Sequence, residues 1–598
     1  MKQFFKIMLA SIAAMIVMGA LFFFITFGII GSLISSAESD KEVKIKDNSV
    51  MHIKFSEPIP DRTSENPFEN FDFGKMQPSK QLGLDKILKT IEKAKTDDRI
   101  KGIYLDLNVV NGGMATVEEI RNALEDFKST GKWIVSYSEI YTQKGYYLAS
   151  VADKIYLNPA GMMELRGLSA ELMFFKNALA KLDVDMQVIR HGKFKSAVEP
   201  FMLEKMSESN RNQMQLILNT TWGSMLEKIA TSRKISIEKI NELADGIKIQ
   251  KAIDAKNEGF VDEIMYKDEL LDMFKEKLEV ASYEDLNFIE LGKYLSASKD
   301  PLKELKEKTT EPASNQIAVV YASGDIVSGK GEKDQMGSET ISKAIREARL
   351  DSNVKAIVLR VNSPGGSAMA SDVMWREVIL AKKVKPVVVS MGNVAASGGY
   401  YISCAADKIV ADEKTITGSI GVFGLIPNAQ GFFNNKLGIT FDTVKTNTHA
   451  DMLTIFRPLT QEEKDIIQIG VENIYDDFIT KVAEGRGMTK EQVDSIGQGR
   501  VWTGIDAKKI GLVDEIGGIN KAIEIAQSLA KMEDFTLTAY PKAEKNPFND
   551  LLITLSGDME AYFMKKQMGE GYKYFRAVER LSTQQGILTR MPYEIEIH

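Results

Sequence analysis

The chain has 598 residues, 44% apolar and 27% charged, which are globular proportions that exclude collagen-like, disordered and disulfide-scaffold classes. Its 76 basic and 83 acidic residues leave a formal charge of −7, mild and of the wrong sign for a general polyanion binder, so nucleic acid is not an expected partner. A single cysteine, Cys404, closes no internal disulfide, and four histidines (His52, His191, His449, His598) argue against a multi-histidine metal centre.

From Ile7 to Ile34 the chain runs 28 residues without a charge. At about 1.5 Å per helical residue this exceeds a hydrocarbon core of roughly 30 Å, which predicts one transmembrane helix. Lys2 and Lys6 precede the run and Glu38, Asp40, Lys41 and Glu42 follow it. The positive-inside bias then places the short N-terminus in the cytoplasm and the body outside. Ser35 and Ala37 would suit a signal peptidase, but the run is about twice a usual signal core, so a retained anchor is expected.

The body repeats itself. Gly145–Tyr156 reads GYYLASVADKIY and Gly399–Val410 reads GYYISCAADKIV, identical at seven of twelve positions at an offset of 254. Ile100–Leu105 and Val354–Leu359 pair at the same offset. At an offset of 252, Ile253–Lys256 pairs with Ile505–Lys508, and Gly259–Ile264 with Gly511–Ile516. Short apolar runs such as Ala356–Val361 and Val387–Met391 alternate with helical stretches, which predicts an α/β fold of two tandem repeats around buried parallel strands. Thr460 with Glu463 forms a capping-box pattern, and Ser207 opens the matching stretch of the first copy. The expected units are an anchor over 1–45, a first repeat over 46–292, a polar connector over 293–316, a second repeat over 317–540 and an extension over 541–598 that has no partner in the first copy.

Two segments of the second copy carry chemistry. Asn362-Ser363-Pro364-Gly365-Gly366-Ser367 follows a strand, and its glycines leave backbone N–H groups able to receive an oxyanion. Gly392–Tyr401 follows the next strand and sets Ser397 at a helix N-terminus, where free N–H groups stabilise developing negative charge. Taken alone, this motif reads first as a plain helix cap at Ser397. The residue 254 positions earlier is Gln143, although the flanking Gly-Tyr-Tyr and Ala-Asp-Lys-Ile elements are retained; a nucleophile needed once per chain would differ in this way. A serine hydroxyl needs a base. His191 and His449 have no acidic partner at a recognisable spacing, and a desolvated lysine is the other option, but spacing selects none of the lysines. Gly324–Lys330 resembles the start of a phosphate loop, but Gly331 stands at its Ser/Thr position and no apolar helix follows, so it is read as a turn. His191 and Cys404 are read as structural.

Asn362–Gly366, Ala395–Tyr401, Thr417-Gly418-Ser419-Ile420-Gly421 and Lys195-Ser196-Ala197-Val198-Glu199-Pro200-Phe201 together resemble the bacterial signal peptide peptidase A family in its long, membrane-anchored, two-repeat form. The resemblance covers almost the whole chain. It implies a serine/lysine peptidase on a fold similar to the caseinolytic-protease and crotonase group. Ser397 then matches the nucleophile, Lys195 the general base, and Ser419 the hydroxyl that orients the amine. Gly365 or Gly366, with Gly398, matches the oxyanion donors. Lys193, two residues from Lys195, is the rival base, since both face one side of an extended segment. The family's features further imply no metal or organic cofactor, signal peptides and other unfolded hydrophobic peptides as substrates, a homotetramer, and a catalytic body at the outer face of the cytoplasmic membrane. A base in copy one and a nucleophile in copy two would meet only when the copies dock, and such an enzyme should lean alkaline. The competing classes are a peptide-binding scaffold that no longer hydrolyses, and a crotonase-like acyl-thioester enzyme.

Overall fold

The computed structural model describes residues 45–64, 81–297, 315–332, 334–542 and 586–591, with a few isolated positions besides. The expected anchor over Ile7–Ile34 lies, but for two isolated positions, outside them, and among the described residues no helix is long and apolar enough to cross a membrane.

Each copy builds a sheet with one strand order. In the first, six parallel strands run Glu263–Ile264, Lys154–Met163, Trp133–Tyr141, Ile100–Asp106, Ser49–Ile53, Asn287–Glu290. In the second, Glu515–Ile516, Lys408–Ala411, Val387–Ala396, Val354–Ser363, Gln316–Ser323 and Thr536–Tyr540 follow in the same sequence, again all parallel. These strands are continuous apolar runs because both faces of the sheet are covered. Ala318, Val320 and Ala322 enter the core of the second copy, whereas Ile317, Val319, Ala356 and Val358 join the core of the first. The period-two alternation of a strand thus glues the copies together through the sheet itself.

The long helices begin where side chains satisfy their free N–H groups. Ser207 accepts from Asn210 N–H at the head of Glu208–Arg233, and Thr460 with Glu463 closes a capping box on Gln461–Arg486.

A third sheet crosses between the copies. Its order is Gln335–Gly337, Asp325–Val327, Gly365–Ser367, Gly586–Arg590, Phe423–Asn428, Asp185–Arg190. Asp185–Arg190 belongs to the first copy, yet it pairs antiparallel with Phe423–Asn428 of the second, from Asp185 opposite Asn428 to Arg190 opposite Phe423. Between the copies, the guanidinium of Arg360 donates to Asp61 at 2.7 Å and to Glu119 at 2.6 Å, and Lys414 donates to Glu118 at 2.8 Å. All three carboxylates come from the first copy, and both cations are fully buried.

Candidate active site

The strand Val387–Ala396 runs directly into Ser397, whose backbone turns to φ 54°, ψ −113° before the helix Gly398–Ser403. A non-glycine residue held there costs about 1–3 kcal/mol and persists only where surroundings fix it. Here Ser397 N–H donates to Gly418 O at 2.8 Å, and Ser397 O accepts from Tyr401 N–H at 2.8 Å. Small residues are required after it, since a Cβ on Gly398 would lie 2.6 Å from Ser371 Oγ. The first copy relaxes this turn. Thr142, at φ −66°, caps the helix Gln143–Ala149, and the amide oxygen of Gln143 accepts from Arg166 N–H at 2.8 Å and Gly167 N–H at 2.9 Å. The equivalent position is a loop tie there and a strained, buried hydroxyl in the second copy.

The cross-copy strand Asp185–Arg190 delivers Lys195. His191 N–H donates to Val422 O at 3.1 Å and Phe194 N–H to Gln498 O at 3.1 Å, so the segment continues along the second copy. The lysine stem then passes between two glycines. A Cβ on Gly421 would lie 3.3 Å from Lys195 Cδ, and one on Gly499 would lie 2.7 Å from Lys195 N, Cα and Cβ. Lys195 Nζ stands 2.9 Å from Ser397 Oγ, 3.1 Å from Ser419 Oγ and 3.3 Å from Ser419 O. All three residues are 0% exposed. Burial with no facing carboxylate pushes the amine well below its usual 10.5. A neutral amine has two hydrogens and one lone pair. With both hydrogens on the two oxygens of Ser419, the lone pair faces the Ser397 hydroxyl, the geometry of a general base. Ser419 therefore contacts the amine through its side chain and its carbonyl together. We expect Ser419→Ala, which leaves the carbonyl in place, to lower kcat about 10²-fold with KM unchanged.

The rival Lys193 is exposed, with its ammonium 5.7 Å from the Phe194 ring. The two lysines part because 191–195 is a turn, not an extended strand, and Lys195 sits at ψ 74° ahead of the 3₁₀ turn Ser196–Val198. Gly499 was not anticipated from the sequence; only its distant packing against Lys195 gives it meaning. Gly499→Ala should displace the lysine and lower kcat about 10²-fold. Gly487→Ala is the control, since Gly487 also has positive φ but no atom within 4 Å of its Cβ position. It should cost stability alone, a difference that steady-state kinetics and thermal melts on the two variants would separate.

The oxyanion donors resolve through the ladder. Gly365 N–H donates to Ser363 Oγ at 3.1 Å and is occupied. Gly365–Ser367 pairs antiparallel with Gly586–Arg590, Gly365 opposite Arg590 and Gly366 opposite Thr589. Met591 N–H donates to Pro364 O at 2.6 Å, which makes the pair 364/591 a hydrogen-bonded one. Such pairs alternate in an antiparallel ladder, so Gly366 N–H points at Thr589 O. A Cβ on Gly365 would lie 2.2 Å from Thr589 O and 2.7 Å from Gly398 N, so that carbonyl and the Gly398 amide meet on one side of the Gly365 backbone. Gly366 and Gly398 are thus the amides on the side of the Thr589 carbonyl, whereas the Gly365 amide is bound to Ser363.

The histidines do have acidic neighbours, supplied by remote helix residues: His191 Nδ1 lies 2.5 Å from Glu472, and His449 lies 3.5 Å from Glu462 and 3.6 Å from Glu463. The polar partner of the Ser397 hydroxyl is Lys195, not imidazole. Cys404 is fully buried and its thiol is pushed up to about 12 by burial, an unreactive core residue.

Comparison with known proteins agrees with this chemistry. The model of peptidase family S49 matches twice, over residues 126–281 and 379–533. Protease 4 of Haemophilus influenzae is 39% identical over 455 residues, 75% of this chain and 73% of that protein. The chloroplastic serine protease SPPA of Arabidopsis thaliana is 34% identical over 458 residues, 75% of this chain and 66% of that one. A putative signal peptide peptidase SppA of Enterococcus faecium is 36% identical over 244 residues, 40% of this chain and 71% of its own length. With a serine and a buried lysine in hydrogen-bond contact, a duplicated α/β architecture and these matches, the chain belongs to peptidase family S49 and is a serine protease.

Proposed function

We propose that the protein is a membrane-anchored endopeptidase that works through a Ser397/Lys195 dyad and degrades signal peptides left in the cytoplasmic membrane. One observation carries the dyad: Lys195 Nζ and Ser397 Oγ, 202 residues apart in the chain, lie 2.9 Å apart with both side chains fully buried. Neutral Lys195 takes the proton of Ser397 as the oxygen attacks the peptide carbonyl. The amides of Gly366 and Gly398 hold the negative charge that develops on the carbonyl oxygen. The lysine ammonium then protonates the leaving amine. In the second half Lys195 takes a proton from the water that attacks the acyl-serine ester and returns it to Ser397 Oγ as the acid leaves, which restores the neutral amine and the serine hydroxyl.

The groove and the expected anchor support this substrate class. Gly365–Ser367 and Phe423–Asn428 flank a slot one strand wide, which takes only extended chain. Its walls carry Val198, Phe423 and Leu425, with Val188 and Phe201 against them, and so favour apolar side chains. A helix over Ile7–Ile34 with the body outside would hold this slot at the membrane surface, where cleaved signal peptides lie, and a homotetramer of such bodies would screen it from folded proteins. No feature of the site favours the non-hydrolysing scaffold.

A fluorophosphonate probe tests the reading. Mass spectrometry of the labelled protein should place the adduct on Ser397, with labelling lost in Ser397→Ala and weakened on acidification. An unlabelled Ser397 in folded protein at alkaline pH would refute the dyad.

A further inference from the structure

The first copy keeps the frame of the peptide slot without its reactive groups. Gly112-Gly113 stand 253 positions before Gly365-Gly366, residues 169–174 stand 254 before Phe423–Asn428, and Lys144 stands 254 before Gly398. The inner flank is matched too: Asn111 N–H donates to Phe55 O at 3.2 Å and Ile59 N–H to Asn111 O at 3.1 Å, where Ile326 pairs with Gly366 in the second copy. The outer edges are not filled. Gly586–Arg590 joins both edges of the second copy's slot, whereas among the described residues no strand pairs with residues 112–114 or 169–174. Ser169, Glu171 and Met173 are exposed and Ala170, Leu172 and Phe174 half-buried, the period-two alternation of an extended strand. Yet none of these six gives or takes a backbone hydrogen bond among the described residues. Between the two edges, Gln143 replaces the nucleophile with an amide that ties down Arg166 and Gly167. Lys144 replaces the oxyanion amide with an ammonium. It is half-buried, its Nζ donates to Gly112 O at 2.9 Å, and that carbonyl is its one hydrogen-bond or ion-pair partner among the described residues. Burial lowers its pKa, with no carboxylate nearby to offset the cost.

We infer that the first copy is a second peptide slot that binds without cutting: an extended chain pairs with the edges 112–114 and 169–174, and its C-terminal carboxylate sits on the Lys144 ammonium. Unpaired main-chain groups on such edges accept an added strand whatever its sequence, and the charge selects the end of the chain. A carboxylate supplies what the site lacks, a counter-charge and acceptors for the two ammonium hydrogens that Gly112 leaves free. A neutral amide supplies only the acceptor. Peptides ending in a fresh carboxylate are the fragments that cleavage at Ser397 releases, so the slot would hold products within the enzyme. That role rests on the proteolytic reading, whereas the binding itself does not.

The test uses full-length Ser397→Ala protein, in which no peptide is cut, and fluorescein-labelled Ala-Leu-Ala-Val-Leu-Ala made with either a free carboxylate or a C-terminal amide. Fluorescence anisotropy should show about tenfold tighter binding of the free acid. Adding Lys144→Gln should abolish that preference, and Lys144→Arg should keep most of it. The same free acid carrying a benzophenone should crosslink to residues 112–114 or 169–174, a readout that needs no change at Lys144 and so covers the case in which its variants fold poorly. No binding of either peptide, equal affinity for acid and amide, a preference that survives in folded Lys144→Gln, or crosslinks confined to Gly365–Ser367 and Phe423–Asn428 would each overturn the second slot. Failure of the fluorophosphonate to label Ser397 in the unmodified protein would instead sink the dyad and leave the carboxylate preference as it is.

Discussion

Lys195→Ala is expected to lower kcat/KM on an apolar peptide by about four to six orders of magnitude, and Ser397→Ala by a similar factor, with the double variant no worse than either alone. The two groups act on one proton, so removing the second after the first removes nothing further. The lysine sets the pH dependence with a definite sign. Its folded value lies well below 10.5 because the ammonium would be desolvated, so activity falls on acidification as the amine takes a proton and loses its lone pair. At alkaline pH the rate should reach a plateau before the usual lysine range.

The stability consequence has the same sign as the effect on activity. An unfolded chain carries Lys195 protonated up to about 10.5, whereas the folded chain holds it neutral, so the unfolded state binds more protons between the depressed folded value and 10.5. Stability therefore rises with pH across that window and the cost is greatest on its acidic side. Lys195→Met removes the cost: the inactive variant should melt higher than the parent at neutral pH, and the difference should vanish as pH approaches 10.5. A melt that is unchanged at every pH would mean the amine is not buried neutral.

The second large effect concerns how the copies are held together. Arg360 lies on the strand Val354–Ser363, fully buried, and donates to Asp61 and Glu119 of the first copy and to Ser390 Oγ at 2.9 Å. Both carboxylates are committed elsewhere too. Asp61 accepts from Asn362 Nδ2 at 2.6 Å and Glu119 from Ile519 N–H at 2.6 Å. Arg360→Met would leave two carboxylates buried without a counter-charge, at a cost of about 3–5 kcal/mol. The loss should appear as a lowered melting temperature together with lost activity, because Lys195 and Ser397 arrive from opposite copies. The triple variant Arg360→Met, Asp61→Leu, Glu119→Leu should recover much of the stability, since the isolated charges rather than the missing attraction make up the penalty. Failure of the triple variant to exceed Arg360→Met would show that the ion pairs contribute net attraction instead.

Particular residues show what could be read before the fold was known. Ser397 stands out because the flanking Gly-Tyr-Tyr and Ala-Asp-Lys-Ile elements recur in both copies and only one copy has the serine, a comparison that needs no tertiary contact. The strands were legible for the same local reason, being unbroken apolar runs. Thr460 and Ser207 announced their helices because a cap lies within three residues of the group it satisfies. By contrast, Lys195 and Lys193 were separable only through a family resemblance, and Gly365 and Gly366 not at all. The extension after Pro541 carried no signal of its own, and its strand Gly586–Arg590 acquires meaning only from the two edges it joins.

Neighbouring residues and a fixed repeat distance carry the duplication, the α/β periodicity, the candidate serine and an apolar segment long enough for a bilayer. Only tertiary contacts select which amine meets that serine, which glycine amide faces the Thr589 carbonyl, what packs against Gly499 and where Gly586–Met591 lies. Those choices depend on contacts across about 200 residues or more, made by strand pairing and burial between copies, and burial is also what lowers the Lys195 pKa.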